Sequence, residues 1–160
     1  MSKSTITYVN PLKLLIPPPV YMVIFAGLMW LLSQYYPVYS WSIDTQDIGI
    51  GIIFIGGLID LSSLFLFLIA KTSVNPMKPE KAETVVKRGM YKFSRNPMYL
   101  GLLLLLTGWS LFLGVLSALV LLPTFVWTIN TMQIQYEEVI LEQKFGDDYV
   151  QYKKSVRRWI

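Results

Sequence analysis

The sequence of 160 residues contains neither cysteine nor histidine. The lack of cysteine excludes disulfides and thiolate nucleophiles. The lack of histidine removes the commonest general base and the commonest metal ligand. Zinc sites of the usual Cys/His kind are therefore excluded, and we expect no metal. Any catalysis must depend on carboxylates, Lys, Arg, Tyr, Asn and a bound cofactor.

Hydrophobic residues make up 54% of the chain, more than the roughly 45–50% of an ordinary soluble domain. Four apolar segments, at 17–36, 48–70, 98–113 and 115–133, approach the length of about 20 residues that a helix needs to cross a bilayer. The last two are joined almost without a loop, and we expect Pro123 to kink the second of them. We predict a single all-α domain, 1–160, with four transmembrane helices, the last two forming a tight hairpin.

The basic residues lie near the N-terminus, in a loop at 71–97 and in a tail at 134–160. The segment between the first two spans has no basic residue, and the hairpin turn near Gly114 has no charge. With four spans, all basic segments fall on one side of the membrane, which the positive-inside rule makes cytoplasmic. We predict a multi-pass protein of a prokaryotic inner membrane, with both termini cytoplasmic. Its basic loop can attract anionic lipid, and we expect no nucleic-acid partner.

The stretch "YKFSRNPMYLG" leads from polar residues directly into the third span. Asn96 is well placed as an N-cap and Pro97 as the first helical residue. The free N–H groups and the dipole of such a helix end attract a carboxylate or a phosphate, and Arg95 lies beside it. The alternative is only a capped membrane helix with an interfacial arginine and two interfacial tyrosines.

The fourth span carries polar residues toward its end. Asn130, Gln133 and Glu137 have helical spacing and are predicted to share one face. Glu138 would point about 100° away, toward water. The shared face suggests a lined cavity, although a helix that emerges into water would also be polar.

Asp60 lies near the middle of the second predicted span. An ionisable residue at such a position is a functional candidate by default. The alternative is a protonated carboxyl, or one that is hydrogen-bonded to Ser62, Ser63 or a neighbouring helix.

The tail is predicted to form one helix that ends at Gly146 and a second, short helix after it. Aromatic residues recur in this second part at helical spacing. They are expected to pack inside the protein, to rest on the bilayer surface or to close a lid over a site.

The segment "GMYKFSRNPMYLG" and the tail "EEVILEQKFGDDYVQYKKSVRRWI" together resemble the isoprenylcysteine carboxyl methyltransferase family. This group of small integral-membrane methyltransferases also takes in phospholipid methyltransferases. The ordered set consists of Gly-x-Tyr, Arg-x-Pro-x-Tyr-x-Gly, a glutamate pair and Phe-Gly-x-x-Tyr-x-x-Tyr. The resemblance covers roughly residues 75–160.

The resemblance implies S-adenosylmethionine as methyl donor, with S-adenosylhomocysteine as product, and a lipophilic small-molecule or lipidated acceptor that enters from the membrane lipid. It implies Glu137, Arg95 and Gln133 as catalytic candidates. By matching motif positions, the cofactor would contact Glu83, Thr84, Val85, Val86, Tyr91, Asn96, Pro97, Met98, Tyr99 and Glu137.

The residue chemistry suits these roles. The helix end at Asn96 can receive the cofactor's carboxylate, Glu137 its ammonium group, and Tyr91 or Tyr99 its adenine or sulfonium. Methyl transfer is an in-line displacement that needs positioning and exclusion of water more than a strong base.

Two positions differ from the family pattern. Asn96 stands where the family usually has histidine, and it can still form hydrogen bonds. Gln133 stands where the eukaryotic carboxyl methyltransferases carry an arginine that is associated with the acceptor's carboxylate. A neutral amide is a poor clamp for a carboxylate, so we expect an acceptor other than prenylcysteine.

Two other classes of function remain open from the sequence. One is a non-catalytic membrane scaffold or lipid-binding protein of the same fold. The other is an NADPH-dependent enzyme like the sterol reductases, which share a related C-terminal motif but are much larger.

Overall fold

The computed structural model describes residues 16–38, 40, 45–70 and 79–160. These residues are helical, apart from loops and one isolated backbone bridge between Ser40 and Val115, and they include no strand. This confirms the all-α prediction. The helices are α1 (Pro18–Tyr35), α2 (Gln46–Ile69), α3 (Pro97–Leu113), α4 (Leu116–Leu119), α5 (Leu121–Ile129), α6 (Gln135–Phe145) and α7 (Asp147–Ser155).

Two continuous helical segments are long and apolar enough to cross a membrane, α2 with 24 residues and the segment Leu116–Phe145 with 30. The apolar helix α3 is shorter, at 17 residues. The first three predicted spans agree with α1, α2 and α3 to within two residues at each end. The fourth does not end at 133 but continues to Phe145. The four-span arrangement therefore stays a prediction.

Helices α2 and α3 pack in antiparallel orientation through glycines. A Cβ atom at Gly49 would lie 2.6 Å from the carbonyl oxygen of Gly108, and one at Gly56 would lie 2.9 Å from that of Gly101. Real Cβ contacts are longer than this, so the two backbones approach at a distance that only glycine permits. Such small-residue contacts are typical of helix packing in membranes, and they fix the position of α2 relative to the start of α3.

Helix α1 covers the other side of α3 together with α5. Met29, Leu106, Phe125 and Ile129 are completely buried at this contact. The rings of Phe25 and Phe125 meet edge to face, with centroids 5.4 Å apart, a favourable aromatic geometry. The main core therefore lies between α1, α3 and α5.

The hairpin after α3 turns at Gly114, whose φ of 71° is left-handed and therefore favours glycine. The following helix is interrupted at Val120, three residues before Pro123. Proline provides no N–H for the carbonyl four residues before it, which explains an interruption in this turn. A π-helical turn then occupies Asn130–Ile134 and leads directly into α6.

The tail folds as predicted. Helix α6 ends before Gly146, whose φ is 54°, and α7 follows at once. Tyr149 and Tyr152 on α7 are buried, so the aromatic stripe packs against the rest of the protein. The tail thereby covers the end of the helix bundle at which α3 begins.

Candidate active site

A cavity of about 660 Å³ lies at the end of the bundle where α3 begins. Its wall combines α2, the segment 79–99, α6 and α7. Most of the lining is apolar, but several charged or polar side chains converge on it, among them Asp60, Arg95, Asn96, Glu137 and Glu138. An apolar pocket with a few convergent polar groups is the usual form of a small-molecule site.

The cavity is lined by most of the catalytic and cofactor-binding candidates that were predicted from the sequence. Nine of these residues line it: Thr84, Val85, Val86, Tyr91, Arg95, Asn96, Met98, Tyr99 and Glu137. Glu83, Pro97 and Gln133 are not part of the lining. Pro97 is buried as the first residue of α3.

Gln133 is completely buried and belongs to the π turn before α6. Its Nε2 donates a hydrogen bond to the carbonyl oxygen of Ile16 at 2.8 Å. Asn130 also lies outside the cavity lining, and its Oδ1 accepts a hydrogen bond of 3.2 Å from Trp159 Nε1. Of Asn130, Gln133 and Glu137, only Glu137 therefore lines the cavity. The π turn Asn130–Ile134 replaces the regular α-helical spacing between these positions.

Glu137 lies on the cavity wall beside Tyr99, whose hydroxyl donates a hydrogen bond to Glu137 Oε1. Tyr99 is buried in the first turn of α3. The hydrogen bond fixes one carboxylate oxygen of Glu137 and leaves the other for a ligand, since a carboxylate accepts several hydrogen bonds.

Glu138 is only 6% exposed, so the prediction that it faces water is wrong. Arg158 donates to its carboxylate from Nε at 3.0 Å and from Nη2 at 2.6 Å. Arg95 Nη2 lies 3.0 Å from Glu138 Oε1. The hydrogen bond with Glu138 raises the pKa of Arg158. The two arginines thus compensate Glu138 for the hydration that it loses on burial.

Arg95 keeps unused hydrogen-bond donors. Its side chain is 9% exposed, and its Nε and Nη1 atoms are buried without a hydrogen-bond partner among the described residues. Because unsatisfied buried donors are costly, these atoms indicate a place for an anionic group inside the cavity.

Asn96 occupies the N-cap position of α3 as predicted, but its side chain makes no capping hydrogen bond. Instead, Nδ2 donates to the carbonyl oxygen of Arg158 at 3.0 Å. The neighbouring Arg95 N–H donates to the carbonyl oxygen of Arg157 at 2.9 Å. The segment before α3 and the residues after α7 are thus held together beside the cavity.

Tyr149 and Tyr152, which belong to the aromatic stripe of the tail, both line the cavity, although they were not among the candidate site residues. Tyr152 donates from its hydroxyl to the carbonyl oxygen of Tyr91 at 2.7 Å. Burial raises the pKa of all three phenols, so they stay neutral and act through hydrogen bonds and ring contacts. The aromatic spacing of the tail was the available signal, and these tyrosines are both packed inside the protein and part of the cavity wall.

Within the described residues, no group of three or more aspartate and glutamate side chains is arranged to hold a metal ion. Two carboxylates of the cavity are engaged by other side chains: Glu137 by Tyr99, and Glu138 by Arg95 and Arg158. Because Glu137 and Arg95 line the same cavity, the site offers both a negative and a positive side chain to a ligand.

Residues 45–148 match the sequence model of the phospholipid methyltransferase family. The match covers more than half of the 160 residues, and the chain therefore belongs to this family of methyltransferases. This confirms the family resemblance and the methyltransferase class that the motifs indicated. No solved structure matches the chain.

Three relatives illustrate the similarity. An uncharacterized protein of Haemophilus influenzae is 51% identical over 63 residues, which are 39% of this chain and all of that protein. Protein-S-isoprenylcysteine O-methyltransferase of Schizosaccharomyces pombe is 33% identical over 49% of this chain and 34% of its own. Protein-S-isoprenylcysteine O-methyltransferase A of Arabidopsis thaliana is 28% identical over 69% of this chain and 56% of its own. The matches thus span about a third to just over half of these two methyltransferases.

Proposed function

We propose that the protein transfers a methyl group from S-adenosylmethionine to a lipophilic acceptor that reaches the cavity from the bilayer. The observation that carries this proposal is the composition of the cavity wall. Polar residues from the start of α3 and from α6 form one part, and apolar residues of α2 form another. Leu61 of α2 lines the cavity and is also 64% exposed. Such a wall suits a water-soluble donor and an acceptor that stays in lipid.

The residues of the cavity fit the charges of S-adenosylmethionine. Glu137 would bind its ammonium group, since Tyr99 engages only one oxygen of this carboxylate. Arg95 Nε and Nη1, which are buried without a partner in the described part of the chain, would bind its carboxylate together with the N-terminal end of α3. Tyr91 offers a ring for the adenine.

The bound cofactor supplies a methyl group on a sulfonium, which is a good leaving group. The chain's own task is to hold the acceptor in line with that methyl group and to exclude water. Buried side chains such as Tyr99, Tyr149 and Tyr152 line the cavity and would help to exclude water from the reacting groups. Holding the acceptor in position and excluding water require no histidine and no metal ion in the chain.

Gln133 supports an acceptor other than prenylcysteine. Its amide does not line the cavity and bonds to the backbone of Ile16, so this position offers no clamp for an acceptor's carboxylate. Methylation of a prenylcysteine analogue by the purified protein, at a rate above that of other lipids, would overturn this part of the proposal.

We also infer the four-span arrangement in a prokaryotic inner membrane, with both termini cytoplasmic. The basic loop and the tail lie at the same end of the bundle, as the ion pair of Lys87 with Asp148 indicates. Because the chain has no cysteine, single introduced cysteines can report the topology. In intact cells, an impermeant thiol reagent should label Ser40→Cys from outside and Ser155→Cys only after lysis. The reverse pattern would contradict the orientation.

A ligand titration tests the proposed activity. The purified protein in detergent is heated with S-adenosylmethionine, S-adenosylhomocysteine or NADPH, and its melting temperature is measured. The first two should raise the melting temperature in proportion to their occupancy, because a ligand that binds only the folded state stabilises it. A response to NADPH alone would favour a reductase, and no response to any of the three would favour a non-catalytic protein.

A further inference from the structure

Asp60 lies on the α2 wall of the same cavity. Phe67, seven residues later on α2, contacts the ring of Tyr91 edge to face. Seven residues of an α-helix rise about 10 Å, so Asp60 lies about 10 Å along the α2 axis from the contact of Phe67 with Tyr91. It provides a carboxyl group in the part of the cavity that is otherwise formed by apolar residues of α2.

The position of this carboxyl is fixed by packing against α3. A Cβ atom added to Gly101 would overlap the Asp60 carboxyl group. A Cβ atom added to Gly56, one turn earlier on α2, would lie 2.9 Å from the carbonyl oxygen of Gly101. The Asp60 carboxyl is thus packed in the space that Gly101 leaves by having no side chain.

One oxygen of this carboxyl has no hydrogen-bond partner. Oδ1 is buried against Gly101 and makes no hydrogen bond to any described residue, so a ligand in the cavity would meet the other oxygen, Oδ2. The nearby Ser62 and Ser63 do not satisfy Oδ1, since both hydroxyls donate to the carbonyl oxygen of Ile59, at 2.9 and 2.7 Å. A buried polar group without a partner is destabilising, and inside a membrane helix such a residue usually marks a functional site.

We propose that Asp60 is a specificity-determining residue that accepts a hydrogen bond from the polar head of the methyl acceptor. This inference rests on the proposed function and narrows its substrate class. The acceptor would carry an N–H or O–H donor on a lipophilic body, and the body would lie along Leu61 and Leu64, which line the cavity and are exposed on α2. A carboxylate head offers no hydrogen-bond donor to Asp60.

Three lipids with the same chain and an amine, a hydroxyl or a carboxylate head test the proposal. Their affinity for the detergent-solubilised protein, saturated with S-adenosylhomocysteine, is measured by calorimetry. The amine or the hydroxyl lipid should bind at least about tenfold more tightly than the carboxylate lipid, and the better of these two identifies the donor. Tighter or equal binding of the carboxylate lipid would overturn the proposal, as would the absence of binding by all three.

Variants locate the effect at Asp60. Asp60→Leu should abolish the preference for the donor-bearing lipid and leave the affinity for S-adenosylhomocysteine within about twofold. Asp60→Asn, which keeps the size and adds a donor, should narrow the preference even if Asp60→Leu fails to fold. Asp47→Asn, at the exposed start of α2, is the matched control and should behave as the wild type. An unchanged preference in Asp60→Asn would contradict the assignment.

Different results would contradict the methyltransferase activity and the role of Asp60. A wild-type protein that does not bind S-adenosylhomocysteine contradicts the methyltransferase proposal itself. A protein that binds S-adenosylhomocysteine but shows no preference for a donor-bearing lipid contradicts only the role of Asp60.

Discussion

Glu138 and Arg158 form a two-point ion pair, with Nε to Oε1 at 3.0 Å and Nη2 to Oε2 at 2.6 Å. The same carboxylate also contacts Arg95 Nη2 at 3.0 Å. One buried carboxylate therefore joins three segments: the turn before α3, helix α6 and the residues after α7. The fork of the Arg158 guanidinium matches the carboxylate geometry, so this contact fixes orientation as well as charge.

Replacing Glu138 should destabilise the fold more than it affects the cofactor directly. In Glu138→Ala, Arg95 stays buried without its counter-ion, and we expect a loss of about 3 kcal/mol in the free energy of unfolding. Glu142→Ala is the matched control, because Glu142 and its partner Lys153 are 44% and 32% exposed, and such a pair contributes less than about 1 kcal/mol. Denaturation followed by tryptophan fluorescence measures both. Equal losses would contradict the structural role of Glu138.

Replacing Glu137 should weaken binding of the cofactor more than it destabilises the fold. Glu137→Gln keeps the oxygen that accepts the Tyr99 hydroxyl but removes the negative charge. We expect the melting temperature without ligand to change little, and the dissociation constant of S-adenosylhomocysteine to rise at least about tenfold, or ~1.4 kcal/mol. Calorimetric titration measures it, with Glu142→Gln as control. An unchanged dissociation constant would remove Glu137 from the cofactor site.

The contrast between these two glutamates shows where prediction from the sequence ends. The apolar spans could be located because composition and proline or glycine boundaries are local signals, and α1, α2 and α3 agree with them. The side of the helix that Glu138 occupies depends on a π turn upstream and on Arg158, which is 20 residues away in sequence. Neither can be read from regular helical spacing.

The end of the fourth helix could not be predicted from the sequence either. Polar residues after 133 suggested that the span ends there, yet the helix continues to Phe145. It does so because the polar side chains on α6 find partners within the protein: Glu137 bonds to Tyr99, and Glu138 bonds to two arginines. Hydropathy measures preference for lipid or water and contains no information on such partners.

Asn96 provides a test of the tail contact. Asn96→Ala removes the hydrogen bond from Nδ2 to the Arg158 carbonyl, which is worth about 1 kcal/mol. We expect faster amide hydrogen exchange over residues 156–160 and weaker binding of S-adenosylhomocysteine. Asn96→His restores an N–H donor of the kind that the family usually has there, and it should preserve the slow exchange. Unchanged exchange in Asn96→Ala would show that the tail is held by its other contacts alone.

Alanine substitutions of glycines in α2 and α3 test the close packing of these two helices. In Gly108→Ala, the new Cβ would lie 2.8 Å from the backbone nitrogen of Ile53, which cannot move without shifting α2. Overpacking of this kind costs about 1–3 kcal/mol. Gly51 and Gly57 both lie on α2, and a Cβ atom at either position meets nothing within 4 Å. In Gly51→Ala and Gly57→Ala, alanine is favoured over glycine in a helix by up to about 1 kcal/mol.

Thermal unfolding of the three variants in one detergent compares these effects directly. The melting temperature should fall for Gly108→Ala and stay equal or rise for the other two. Because α2 carries Asp60 and Leu61 into the cavity, its displacement in Gly108→Ala should also weaken binding of the acceptor lipid. A melting temperature that falls equally in all three variants would contradict the close approach of Gly49 and Gly108 as the cause of the effect.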